Sequence, residues 1–155
     1  MLFLVFRFGE DRYAIEATQV VEVLPLVNWK GVPGAAPGVA GIMDYRGVPV
    51  PLIDLTQMAM ERPSRKWMST RIIVVNYRDD SSGETHALGL IAEQATETMR
   101  RSEEDFTASG LTVGASPYLG AVTTGPGGTI QRIDIRNLLT ESVRRQLFPA
   151  HADSR

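Results

Sequence analysis

The 155-residue chain has no cysteine, which removes disulfides and thiolate sites and suits a reducing compartment. It has two histidines, His86 at the start of an expected strand and His151 in a C-terminal tail expected to fray, and neither belongs to a metal-ligand spacing. No glycine-rich phosphate cradle is present: Gly125-Pro126-Gly127-Gly128 lacks the following Lys-Ser/Thr and reads as a turn. No Gly-x-Ser-x-Gly elbow holds a serine, and the acidic run from Asp79 to Glu84 lacks the ligand spacing of a calcium loop. Asp44, Asp54 and Asp134 could be imagined as acid/base carboxylates, but helix capping accounts for two of them better. An excess of charge of one sign is missing as well. With 16 basic and 18 acidic residues the formal net charge is −2, so no bulk field favours nucleic acid or anionic lipid. The pairs Arg100-Arg101 and Arg144-Arg145 read as solvated faces. The start, MLFLVFRFGED, has a short apolar run and no basic leader, so neither signal peptide nor membrane span is expected. A cytoplasmic, soluble and non-catalytic protein, with no cofactor, is the expectation.

What the chain does have is concentrated in residues 37 to 55, PGVAGIMDYRGVPVPLIDL. Pro37-Gly38 marks a turn, and an apolar run follows to Leu55, broken by Arg46 and by Gly47, which can take positive φ. Pro49 and Pro51 lie two apart and cannot donate to a ladder, so Val48 to Ile53 is expected to be an edge or rim strand. Asp54 can cap a short helix over 55 to 60. The stretch reads as strand, Arg-Gly turn, strand and cap, a shaped surface without bond-breaking chemistry.

Along the rest of the chain, Leu2 to Phe8 reads as a strand, Gly9 to Arg12 as a hairpin connection, and Tyr13 begins the return. Ala17, Val20, Val21 and Leu24 fall at helical spacing before Pro25, predicting a helix over 17 to 23. Glu61 to Lys66 is polar and proline-broken, a connector between halves. Residues 71 to 77 read as a strand, 79 to 84 as a hairpin loop, and 86 to 92 as the return. Ser102 to Phe106 could form one helical turn in a long polar loop. A helix is predicted over 135 to 147, followed by Pro149.

The two halves repeat. AIEATQVVEVL (14 to 24) laid over GLIAEQATETM (89 to 99) aligns Ala17 with Ala92, Gln19 with Gln94 and Glu22 with Glu97. GIMDYRGVPVPLIDL (41 to 55) lies over GAVTTGPGGTIQRIDI (120 to 135), sharing the opening Gly and closing Ile-Asp. A duplicated small β unit follows from the same order of elements in both halves, and short strands with Gly/Pro turns point to barrels or sandwiches.

Across Phe3 to Leu139 the chain resembles the CheW-like coupling proteins of bacterial chemosensory arrays. The family's opening strand, turn and Tyr-x-Ile element is matched by FLVFRFGEDRYAIEA, and its Val-x-Glu-Val/Ile element by Val20-Val21-Glu22-Val23. Its most specific segment, Gly-Val-x-Asn-x-Arg-Gly-x-x-x-Pro-x-x-Asp-Leu, is matched by residues 41 to 55, with Asp44 where the family usually has Asn. Leu88 to Glu93 corresponds to its Val-Gly-(Leu/Ile)-x-Val-Asp strand, with Ala92-Glu93 in place of Val-Asp. Ile133-Asp134 to Leu139 corresponds to its closing element. The segment LVFRFGEDRYAIEATQVVEVLPLV resembles the Wsp-type coupling proteins of surface sensing.

The resemblance implies an all-β fold of two pseudo-symmetric, SH3-like, five-stranded β-barrels with short helices and a C-terminal helix. As one CheW-like domain over 1 to 155, it would divide into a first lobe at 1 to 65 and a second at 68 to 148. It implies no catalysis, and partners in a chemoreceptor cytoplasmic tip and the regulatory domain of a CheA-type histidine kinase, at the inner face of the membrane and without insertion into it. By residue match, receptor contacts fall on Val20, Glu22, Gly41, Arg46, Ile91 and Glu93, in a groove between the lobes. Kinase contacts fall on Val39, Ile42, Pro49 and Val50. Gly41→Lys is expected to remove partner binding and leave the fold intact. The competing reading is a small β-barrel binding a small ligand or single-stranded nucleic acid through aromatics such as Tyr45, Trp67 and Tyr118, which would require basic residues interleaved with them; the near-neutral charge balance argues against it.

Glu22 and Arg46 each interrupt apolar surroundings, and such charges are tolerated when paired. They are expected to meet as an ion pair, the guanidinium fork donating to the carboxylate. The alternative is an Arg46 that points free into solvent.

Overall fold

The computed structural model describes residues 1–110 and 116–149. The tail expected to fray, with His151, lies outside them. Nine strands, β1 (Leu2–Phe8), β2 (Asp11–Glu16), β3 (Val20–Pro25), β4 (Val39–Tyr45), β5 (Val48–Asp54), β6 (Arg71–Asp79), β7 (Glu84–Arg100), β8 (Leu119–Gly125) and β9 (Gly128–Ile133), are accompanied by two short helices, α1 (Leu55–Met60) and α2 (Glu141–Leu147). Among the described residues no helix is long and apolar enough to cross a membrane.

β7 belongs to two barrels. Its first half pairs with β6, from Asp79↔Glu84 to Arg71↔Ala92, and in parallel with β5 at Leu52 to Asp54. Its second half, from Glu93 to Arg100, pairs with β1. Near the start of that second half Gln94 takes a left-handed φ of 49°, at the register shift where the strand passes from one barrel into the other.

One barrel therefore runs β4-β5-β7-β6-β3, closed where Lys30 exchanges both backbone bonds with Ile42 at 2.9 and 2.8 Å. The other runs β8-β9-β2-β1-β7, closed in the same way by Thr107 and Val122 at 2.9 and 2.8 Å. The correspondence extends to single bonds. Asp54 N donates to Gly38 O and Asp134 N donates to Tyr118 O, both at 2.8 Å.

The duplicated units are present, but the lobes are not divided at 65/68. The β1–β2 hairpin of the first unit completes the barrel of the second, through the parallel β2–β9 pair. The β6–β7 hairpin of the second unit completes the barrel of the first. Sequence similarity records the order of the units, whereas strand exchange between them is decided by pairing partners far apart in the chain.

The burial pattern explains the long apolar runs. Met43, Val50, Leu52, Ile72, Val74 and Ile91 fill one barrel, and Phe3, Val5, Ala14 and Ile130 fill the other. The alternate residues, Leu4, Phe6 and Phe8 of β1 and Ile73, Val75 and Tyr77 of β6, form a larger core between the barrels. Both faces of β1 and β6 are thus covered, and neither strand shows polar alternation in its middle.

Three local expectations change. The helix over 17 to 23 is a single 3₁₀ turn at Ala17–Gln19 followed by β3. Val20, Glu22 and Leu24 are half-buried while Val21 and Val23 are exposed, so the period is two, and β-branched valines suit the pleated ladder with β6. β5 is not an edge strand, because β4 and β7 flank it. Its prolines are tolerated because pairing with β7 begins only at Leu52, past Pro49 and Pro51. The helix over 135 to 147 is split into a 3₁₀ turn at Ile135–Asn137 and α2, which starts afresh where Thr140 Oγ1 accepts from Val143 N at 3.2 Å.

α1 forms as expected. Asp54 Oδ1 accepts from Thr56 N and Gln57 N at 3.1 and 3.2 Å, while Oδ2 accepts from Ser64 N at 2.9 Å and so ties the connector to the cap. The turn expected at 102 to 106 is a 3₁₀ turn at Glu103–Asp105 with a reciprocal cap between Ser102 and Asp105.

Candidate functional site

β4 and β5 are joined by a two-residue turn in which Arg46 and Gly47 both have positive φ, 54° and 83°. That is the primed turn whose twist matches a hairpin, and Asn-Gly is its usual sequence. Asp44 Oδ1 accepts from Gly47 N at 2.8 Å and stabilises it. An arginine in the left-handed region is a costlier choice than asparagine, so the turn alone does not explain Arg46.

Its side chain has a seat. Arg46 Nη2 donates to Glu22 Oε1 at 2.7 Å, and Tyr45 Oη donates to the same oxygen at 2.6 Å. The guanidinium also lies 5.1 Å from the Tyr45 ring centroid. The hydrogen bond to Glu22, first among the causes, raises the Tyr45 pKa above its ordinary value. The expected pair is therefore formed, but not as a fork: one nitrogen meets one oxygen. Arg46 remains 73% exposed and Glu22 34%, so the pair orients a solvent-facing guanidinium and contributes at most about 1 kcal/mol to the fold.

Beside this turn the outer face of the hairpin is apolar. Ile42 and Pro49 are exposed, and Val48 is 56% exposed. Val39, Ile42, Pro49 and Pro51, with Val32 and Leu147, line a groove of about 440 Å³ between β4–β5, the loop after β3 and α2. Three of the four residues expected to face a kinase are brought together here.

Four expected contact residues are placed where no partner touches their side chains. Val50 and Ile91 are 1% exposed and pack inside the first barrel. Glu93 is 1% exposed, its carboxylate covered by the connector, with Oε2 accepting from Arg62 Nη1 at 3.0 Å and Arg65 N at 2.7 Å. Gly41 is buried, and a Cβ there would stand 2.0 Å from Lys30 O and 2.9 Å from Trp29 Cδ1. Gly41→Lys would thus break the bridge that closes the barrel, and cannot be a surface change that spares the fold. Val20 is half-buried against the core between the barrels. The sequence reading missed Tyr45 as the second donor to Glu22; its place directly before the Arg-Gly turn was the available signal.

Residues 2–143 match the family model described as CheW-like domain. The chain is 26% identical over 151 residues to the chemotaxis protein CheW of Bacillus subtilis (strain 168), covering 96% of this chain and 93% of that protein. It is 26% identical over 104 residues to the chemotaxis protein CheW of Helicobacter pylori (strain ATCC 700392 / 26695), covering 67% of this chain and 59% of that one. Its fold is similar to the crystal structure of the scaffolding protein TtCheW from Thermoanaerobacter tengcongensis, with a TM-score of 0.77, 22% identity, and coverage of 92% and 89% of the two chains.

Proposed function

The chain belongs to the CheW-like domain family, and we propose that it is a non-catalytic adaptor of bacterial chemosensory signalling, coupling the cytoplasmic tip of a chemoreceptor to the regulatory domain of a CheA-type histidine kinase. The observation that carries this reading is the presentation of Arg46. An arginine sits in a left-handed turn where asparagine would be less strained, and Glu22 and Tyr45 hold its guanidinium outward. Backbone strain retained for an exposed, oriented cation is the mark of a recognition residue.

Glu22 and Arg46 form the receptor-facing end of the site, with Val20 supporting β3 from below. Val39, Ile42 and Pro49 supply the apolar groove for the kinase domain. Arg46 and the residues Val39, Ile42 and Pro49 belong to one β-hairpin, so one element contributes to both surfaces and sets their separation. The protein's place is the cytoplasm at the inner face of the membrane, reached through the receptor. The resemblance of residues 4 to 27 to Wsp-type proteins supports a surface-sensing pathway.

The test is co-sedimentation of purified protein with receptor signalling fragments and kinase. Arg46→Asn keeps a turn-compatible residue and removes the guanidinium; receptor association is expected to fall at least about tenfold. Ile42→Glu is expected to remove kinase association and leave receptor association in place. Undiminished association by both folded variants would overturn the assignment.

A further inference from the structure

We propose a second docking surface at the end of the β4–β5 hairpin remote from Arg46, where an acidic, apolar-bearing segment of a partner protein binds between Trp29 and the connector that precedes β6. A cleft of about 580 Å³ opens there, walled by Trp29, Pro37, Val39, Pro63, Lys66 and Asp54, which is 7% exposed and whose carboxylate is engaged by the α1 cap and Ser64. Trp67 and Met68 extend its rim and are 41% and 95% exposed. Both tryptophans of the chain and one of its two lysines, Lys66, are at this place.

The charges here lack counterparts. Lys66 Nζ stands 5.3 Å from the Trp29 ring and Arg65 Cζ 5.1 Å from the Trp67 ring. Arg71 donates to the carbonyls of Met68 and Thr70. Among the described residues, no carboxylate lies within ion-pair distance of Lys30, Arg65, Lys66 or Arg71. The connector's other cation, Arg62, is already engaged by Glu93. Three cations without a counter-charge, Arg65, Lys66 and Arg71, thus lie about the two indoles on a chain whose net charge is −2. A cation resting on an indole face is held weakly and stays available to an arriving carboxylate.

Shape selects the occupant. A planar bilayer would reach the exposed Trp67 and Met68 and leave the cleft empty. A protein segment can lower an apolar side chain between Trp29 and Pro63 while flanking carboxylates meet Lys66 and Arg65. This surface goes beyond the coupling function proposed above and does not depend on it.

Because both indoles lie here, tryptophan emission reports this surface alone. The probes are short synthetic peptides alternating Glu with Leu or Phe, against the same peptides with Gln for Glu. The Glu peptides are expected to shift emission to shorter wavelength, more weakly as salt rises. The double variant Arg65→Glu/Lys66→Glu should lose at least about tenfold in affinity, and Trp67→Ala, kept as a second variant in case the first fails to fold, should weaken binding as well. Arg46→Asn should change nothing, which separates failure here from failure of the coupling site. No shift, or an equal shift with the Gln peptides, would overturn the proposal. So would a shift produced only by phosphatidylglycerol vesicles, which assigns the surface to a membrane, or by concentrating the protein alone, which assigns it to a second copy of the chain.

Discussion

Glu93 is sealed beneath Arg62: its side chain is 2% exposed while that of Arg62 is 30% exposed, and the two meet at 3.0 Å. Glu93 begins the half of β7 that enters the second barrel, opposite Arg7 of β1, and the pair pins the connector over that crossing. Arg65 N completes the shell at 2.7 Å. Glu93→Gln keeps the shape but halves the accepting capacity and removes the charge beneath Arg62. A loss of about 2 kcal/mol is expected, the cost of weakening a buried charged hydrogen bond whose partner can still reach water. Urea unfolding measures it, and an unchanged midpoint would show the connector to be held otherwise.

Gly41 of β4 and Gly120 of β8 lie in corresponding strands, one position apart in the correspondence, and tolerate substitution differently. A Cβ on Gly41 meets Lys30 O at 2.0 Å; one on Gly120 meets Arg132 O at 3.1 Å. Gly41→Ala should therefore cost about 3 kcal/mol, as overpacking against immovable backbone does, and Gly120→Ala less than about 1 kcal/mol. Thermal melting of the pair decides it: equal losses would mean that barrel closure at Lys30 is not what requires the glycine.

Strand runs, the Asp54 cap and the Arg-Gly turn were legible because each is set by neighbours in the chain: alternation, a capping carboxylate, a positive φ. The pairing of Glu22 with Arg46 was legible from chemistry, since each charge interrupts an apolar run. The exchange of hairpins was not, because nothing in Ile15 or Leu90 records which copy it will face. The same limit misplaced Ile91 and Glu93. A motif position carries no burial, and the connector that covers Glu93 is brought there by Asp54 and Ser64, not by residues beside Glu93 in sequence. The helix expected at 17 to 23 failed for another reason: apolar residues at 20 and 24 fit both periods, and the long-range ladder with β6 decides.

Asp79 makes the fold sensitive to acid. Ser81 donates to Oδ1 through its hydroxyl at 2.6 Å and its N–H at 2.9 Å, and Arg144 of α2 lies 3.4 Å away. The Ser81 hydrogen bond is the first cause of a pKa lowered from 3.8. A carboxylate with a depressed folded-state pKa contributes stability above its unfolded value and loses it as pH falls through the folded one. Asp79→Asn should thus be less stable than the parent at neutral pH, and the two should converge as pH drops below 3.8. Unfolding curves across that range test the sign, and a gap that persists in acid would assign the loss to packing of α2.

Arg46 makes the last separation, between holding the fold and presenting a charge. Its guanidinium is 73% exposed, so the ion pair with Glu22 is screened, and a double-mutant cycle with Glu22→Gln should give a coupling of about 0.5 kcal/mol or less. Glu22 keeps the Tyr45 hydroxyl at 2.6 Å when the arginine is gone, so the carboxylate is not orphaned. Arg46→Ala should lower stability by no more than about 0.5 kcal/mol, the worth of the screened pair, because alanine bears the same Cβ as arginine in the left-handed region. Arg46→Asn restores the preferred residue for the primed turn and should melt at or slightly above the parent temperature. If the asparagine variant were destabilised as much as the alanine one, the guanidinium would be a structural clamp, and its outward seat on Tyr45 and Glu22 would no longer argue for recognition. If it melts like the parent and no longer binds receptor fragments, the strain at Arg46 is retained for the partner.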